Sequence, residues 1–225
     1  MNPTLLRKVY ALKGIKKKVI KWTKLRRPEV QQRFGQLKEE LNAKVVAAKA
    51  AGQEILYTDE CMFTRRSMQP LEWSHRRTNL ELDLGALNEP AYALVLAVSA
   101  DRGVVAWKTY KKSVNVTKWL NYIEVLRENT GERPACLFWD NLAVHRSKTV
   151  LDRLDEVGIH NIFNLPASPD FNGVEGCFSK IKQSFKTQRA QKLARGVKPN
   201  LETLINRAVK SLKLEDIQNF IRHSE

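Results

Sequence analysis

The sequence predicts an α/β fold, a mixed five-stranded sheet flanked by helices. Three observations carry this. Two apolar runs, Tyr92 to Ala100 and Val104 to Tyr110, are joined by Asp101-Arg102-Gly103, which reads as a hairpin turn. Three further apolar runs, Glu54 to Asp59, Ala135 to Trp139 and Asn161 to Leu165, have strand length. Helical periodicity separates the later ones, so the chain opens with an antiparallel trio and then adds strands that enter through helices. With 225 residues, 43% of them hydrophobic, and five Trp and eight Phe, a sizeable core is available.

Each element has a local reason. Residues 1–27 read as short helical pieces rich in Lys and Arg. A long helix starts at Pro28, which suits a first turn; Val30, Phe34, Leu37, Leu41 and Val45 recur at helical spacing, and Gly52 ends it. The first strand follows. Residues 61–90 read as a long irregular excursion carrying Arg65, Arg66, Arg76 and Arg77, a length that is uncommon without a function. After the hairpin, a helix runs from Val116 to about Asn129 with Trp119, Ile123 and Leu126 on one face, stopped by Gly131. Helices near 148–156, 200–212 and 215–223, and one starting near Asn172 with Val174, Phe178, Ile181 and Phe185 inward, complete the reading. The domain reading is a basic arm over 1–52, a catalytic unit over 53–190 and basic helices over 191–225 packed on it.

The formal net charge is +15, unevenly spread: residues 1–50 carry +11, residues 51–175 carry −3 and residues 176–225 carry +7. A mildly acidic middle between basic ends suits a cation-binding centre flanked by surfaces that neutralise a polyanion. Lys16, Lys17 and Lys18 read as a DNA-contacting arm or a nuclear import signal, against the plainer reading of a solvated face. No segment approaches the ~18 consecutive apolar residues of a membrane span, and the N-terminus has no secretory pattern. Cys61, Cys136 and Cys177 are scattered without zinc-type spacing and read as reduced and buried, which suits an intracellular protein.

Three acids carry the chemistry. Asp59 ends the first strand, with Ile55 and Tyr57 on its face. Asp140 follows Cys136 and Phe138 on the same side of a second strand. Glu175 lies in the first turn of a helix, expected along the rim of the core. Asp140 and Glu175 are separated by 34 residues. If the two strands are neighbours, the three carboxylates converge, and such a gathering is costly unless a cation sits among them. Two Mg²⁺ ions (or Mn²⁺) about 3.5–4 Å apart would activate an attacking water or hydroxyl and steady a leaving 3′ oxygen. Glu60 should face the opposite side of its strand and ranks below. Asp170 reads as shaping the turn with Asn172, and Asn141 as structural. His145 reads as a hydrogen-bonded structural histidine or a contact to the scissile phosphate. Trp73 reads equally as a core residue or a base-stacking one. Arg65, Arg66, Arg76 and Arg77 of the 61–90 excursion, read as partner or DNA contacts, and Lys180 and Lys182 complete the residues read as DNA-binding.

At these residues the chain resembles the catalytic domain of mariner-superfamily DDE transposases, including their bacterial insertion-sequence relatives. The blocks are Tyr57-Thr58-Asp59-Glu60, then Trp139-Asp140-Asn141 with His145, then Ser168-Pro169-Asp170-Phe171-Asn172-Gly173-Val174-Glu175 continuing through Phe178-Ser179-Lys180-Ile181-Lys182. The 34-residue gap is the spacing of one branch of that superfamily, and the resemblance covers roughly residues 54–190. It implies a ribonuclease H-like fold, Mg²⁺ or Mn²⁺, work as a homodimer, and cut-and-paste transposition in which transposon terminal repeats are joined to target DNA. It departs from the family in two places: Gly173 stands where Pro is usual and Gly176 where Asn is common, a change expected to loosen the turn that aims Glu175. Helix-turn-helix modules usually precede such a domain, so end recognition would fall to residues 1–50 or to a separate DNA-binding polypeptide. The alternatives are a domesticated or decayed relative that binds DNA without cutting, and a nuclease of the same fold. The lysine clusters point to the nucleus in a eukaryotic host; a bacterial host would place the chain in the cytoplasm or nucleoid.

Overall fold

The computed structural model describes residue 12 and residues 28–64, 90–166 and 168–224. The readings of residues 1–27, including Lys16, Lys17 and Lys18, and of Arg65, Arg66, Trp73, Arg76 and Arg77 lie outside these described residues. The chain divides into two units, residues 1–36 and 37–225, and the sheet belongs to the second.

Helix α1, Pro28–Ala50, ends as expected at Gly52, whose φ of 74° turns the backbone so that the Gln53 N–H reaches back to the Ala48 carbonyl at 3.0 Å. Five strands follow: β1 Glu54–Phe63, β2 Tyr92–Ser99, β3 Gly103–Lys111, β4 Ala135–Trp139 and β5 Ile159–Phe163. They form one sheet in the order β3-β2-β1-β4-β5. Antiparallel pairing joins β1, β2 and β3; parallel pairing joins β1 to β4 and β4 to β5. The mixed sheet is therefore the expected one.

Helices α2 (Val116–Thr130) and α3 (Lys148–Glu156) cover one face. Their Trp119, Tyr122, Ile123, Leu126, Val150 and Leu154 pack with Leu56, Val95, Leu137 and Trp139 of the sheet. Helices α4 (Val174–Ala194), α5 (Leu201–Lys210) and α6 (Leu214–Ser224) lie against β1, β2 and β3. The Phe63 and Phe185 rings meet edge-on at 5.0 Å there. Each fully buried large side chain contributes about 1.5–3 kcal/mol of transfer free energy. No described helix is long and apolar enough to cross a membrane.

Two boundaries differ from the sequence reading. Strand β1 does not end at Asp59 but runs to Phe63, because β2 pairs with it as far as Phe63↔Tyr92 while Cys61 and Phe63 stay buried. Strand β5 begins two residues earlier, since Gly158 (φ 69°) turns the chain directly into pairing of Ile159 with Ala135.

Arg102 in the hairpin turn fastens the sheet edge. Its Nε and Nη2 donate to the two Glu54 carboxylate oxygens at 2.9 and 2.7 Å, and Nη1 donates to the Asn129 carbonyl at 3.0 Å. Arg102→Ala is expected to cost about 1–2 kcal/mol, read as a lower urea midpoint at unchanged slope.

Candidate active site

The site follows from an unequal overlap of strands. Parallel pairing of β1 with β4 runs from Glu54↔Ala135 to Tyr57↔Phe138. The same register carried two residues on brings Asp59 level with Asp140. There β4 has ended, whereas β1 continues, paired only with β2 on its other side. The gap holds a cleft of about 320 Å³, and Asp59, Asp140 and Glu175 all line it, with Ser168 and Asn172. The structure thus brings together the three acids named from sequence. As they stand, no group of three His, Cys, Asp or Glu side chains among the described residues is arranged to enclose an ion.

Asn172 locks the third segment in place. It is buried, its Nδ2 donates to the Thr58 carbonyl at 3.1 Å, and its Oδ1 accepts from the Val174 N–H at 3.3 Å. The start of α4 is thereby tied to the residue before Asp59. Asn172 rather than Asp170 carries the turn. On the other wall, the Asn141 side-chain amide donates to the Asn164 carbonyl, the structural role expected of it. Glu175 is the exposed member of the trio, a correction to its expected place along the core rim; Asp59 and Asp140 are half-buried.

Gly173 and Gly176 do not loosen this turn. Gly173 has helical φ and ψ of −58° and −20°, accessible to any residue. A Cβ on it would lie 2.7 Å from Ile221 Cγ1 and 2.8 Å from Ile221 Cα. A Cβ on Gly176 would lie 2.5 Å from the Phe220 ring. Both glycines exist because α6 presses against this side of α4.

His145 is fully buried and hydrogen-bonded, as the first of its two sequence readings has it. Its Nδ1 lies 2.6 Å from Asp140 Oδ1 and its Nε2 lies 3.7 Å from Glu60 Oε2. The ring stacks on Trp139 at 4.6 Å and meets Trp119 edge-on at 4.5 Å. Glu60 does face away from Asp59, as expected, and its Oε2 accepts from Trp119 Nε1 at 3.1 Å. Its link through His145 to Asp140 was missed from sequence. The signal was available: Glu60 shares a strand face with Leu56 and Thr58, toward a tryptophan whose buried N–H needs an acceptor.

The electrostatics separate the acids. Burial, opposed by the Glu60 N–H and reinforced by Asp140 and Glu175, pushes the Asp59 carboxyl up to about 7. Burial also acts to raise Asp140, but hydrogen bonds from His145 and the Leu142 N–H outweigh it and hold that carboxyl below its ordinary value. Glu175 is raised by desolvation, opposed by Lys182 and reinforced by Asp140 and Asp170. For His145, burial opposes the charged form, yet its bond to Asp140 and the Glu60 carboxylate 3.7 Å from Nε2 lift it to about 9. Lys182 stands close enough to act on both Glu175 and Cys61. Lys180, read as a DNA contact, is paired with Asp216 of α6. Cys61, Cys136 and Cys177 are buried and unpaired.

A mixed sheet of this order, with an acid on β1, one just past β4 and one opening α4, is the ribonuclease H-like fold. Residues 54–195 match the profile of the DDE superfamily endonucleases, and the chain belongs to that family. Among solved structures, the Mos1 strand transfer complex superposes with a TM-score of 0.60 at 13% identity, over 98% of this chain and 66% of that one. The chain thus spans just under two thirds of that protein's length. The Mos1 transposase catalytic domain with raltegravir and Mg gives 0.57 at 14% identity, over 90% and 92% of the two chains. A simian T-cell lymphotropic virus intasome gives 0.51 at 15% identity, over 70% and 47%. At these identities the likeness is one of fold. No curated protein matches the sequence.

Proposed function

We propose that this chain is the catalytic part of a DDE transposase. It hydrolyses a phosphodiester at the end of a DNA element and joins the freed 3′ hydroxyl to target DNA, with two divalent cations, Mg²⁺ or Mn²⁺. The observation that carries this reading is that carboxylates from three remote segments line one cleft. The donor set fits the cations: three hard anionic oxygen ligands, one of them held against ionisation by burial and its neighbours' charge, a strain that a cation would relieve. Mos1 structures carry Mg or Mn. Bound between Asp59, Asp140 and Glu175, such ions would supply Lewis-acid activation of the attacking oxygen and charge stabilisation of the leaving one.

The chain's own residues do the rest. Asp140, kept ionised by His145, is ready to ligate at neutral pH. Asn172 holds the helix that delivers Glu175 at a fixed distance from β1. The net +11 of residues 1–50 would neutralise phosphates of the bound duplex. Pairing of two element ends by a second copy of the chain is part of the proposal, by analogy with the Mos1 paired-end complexes.

The test is plasmid nicking and the joining of a pre-cut 3′ end, each with and without Mg²⁺ or Mn²⁺. The expected result is divalent-dependent product that falls by about 10²–10³-fold or more in Asp59→Ala, Asp140→Ala and Glu175→Ala. Undiminished cleavage by Asp140→Ala would eliminate the reading. Salt-sensitive DNA binding with no divalent-dependent product would assign the non-cutting relative, and nicking without joining the nuclease.

A further inference from the structure

We infer that Glu60 is a positioning residue for the cation site, acting through His145 to fix the orientation of the Asp140 carboxylate. The inference rests on the proposed function and goes beyond the three acids. Glu60 is no ligand candidate, because its side chain leaves β1 on the face opposite Asp59, where its Oε2 takes the Trp119 N–H at 3.1 Å. That bond aims the same oxygen at His145 Nε2, 3.7 Å away. The imidazole has no freedom to answer by turning. It is fully buried, parallel to Trp139 within 11° at 4.6 Å, and set edge-on at 84° to Trp119. Its opposite nitrogen, Nδ1, sits 2.6 Å from Asp140 Oδ1.

Asp140 Oδ1 also accepts from the Leu142 N–H at 3.0 Å. Two donors on one oxygen fix the carboxylate rotamer just past the end of β4. The line Trp119–Glu60–His145–Asp140 thus runs from the α2 core to the cleft. Glu60 touches the other aspartate as well, its backbone N–H donating to Asp59 Oδ1 at 2.7 Å. Partners behind a ligand typically set metal affinity by orienting the ligand. Here the partner lies two side chains away.

The experiment is a Mn²⁺ titration, followed by electron paramagnetic resonance, of the metal-free full chain. It compares wild type, Glu60→Gln, His145→Asn and the double variant, with DNA affinity in EDTA and thermal midpoint measured alongside. Glu60→Gln is expected to weaken Mn²⁺ binding about tenfold, leaving EDTA-state DNA affinity unchanged. Added to His145→Asn, it is expected to cost nothing further, since both act on one line. If His145→Asn does not fold, Trp119→Phe, which removes the N–H that aims Glu60, is expected to give the same weakening as Glu60→Gln. Unchanged Mn²⁺ affinity in Glu60→Gln, or full additivity in the double variant, overturns the positioning role. Absence of Mn²⁺ binding in wild type, or binding indifferent to Asp59→Asn with Asp140→Asn, instead overturns the proposed function.

Discussion

In metal-free buffer at pH 8, Asp59→Asn is expected to melt above the wild-type chain while losing divalent-dependent cleavage. The Asp59 carboxyl sits at about 7 in the fold against an ordinary 3.8, first because it is buried and then because Asp140 and Glu175 are near. A raised value means that the fold prefers the protonated form. Its stabilising contribution is therefore complete below about pH 4 and is lost as pH rises to about 7. Above that the metal-free fold holds a charge it disfavours, at a cost of at most about 4 kcal/mol. Asparagine is neutral at every pH and can still accept the Glu60 N–H. The gap in melting temperature between variant and wild type should widen from pH 4 to 7 and then level, reaching several degrees. Mg²⁺ should raise the wild-type midpoint and leave the variant where it was. A gap independent of pH would show that burial does not control this carboxyl. His145, lifted to about 9, adds stability that is present below pH 6.5 and lost as pH rises through 9, mostly above the window from pH 4 to 7 in which the gap widens.

Gly173→Ala is expected to be the most damaging added methyl among the described glycines. The added carbon would meet Ile221 Cα at 2.8 Å and Ile221 N at 3.1 Å, both backbone atoms that no rotamer change can move. Overpacking of this kind costs about 1–3 kcal/mol, and relief requires α4 and α6 to separate. Glu175 lies two residues on, in the first turn of α4. Chemical denaturation should show the loss of stability, and cleavage should fall by more than the folded fraction accounts for. Gly35→Ala in α1 makes the control: its Cβ would meet nothing within 4 Å and its backbone is not in the left-handed region, so the added methyl should cost nothing. Equal effects at both positions would remove close approach as the cause.

Much of this architecture was legible in the chain. The Asp101-Arg102-Gly103 turn, both ends of β4 and both ends of α3 fall where periodicity and punctuation put them. The cleft was legible because alternation in β1 and β4 set the facing of Asp59 and Asp140, and only their adjacency had to be supposed. What was not legible depended on partners remote in sequence. The continuation of β1 past Asp59 is decided by pairing with β2, so two consecutive acids read as a strand end. Gly173 reads locally as flexibility, and only Ile221, 48 positions later, reveals a packing contact. Glu60 was set aside on strand parity, which was right about its direction and silent about His145 waiting there.

The seating of α6 on Gly173 and Gly176 also orders events on the ribosome. Residues 214–224 are synthesised after all three carboxylates, yet they press on the helix that carries the last of them. A nascent chain still short of Ile221 has its acids but not the brace behind the third. The start of α4, and with it Glu175, is therefore braced only once that late helix has emerged and docked.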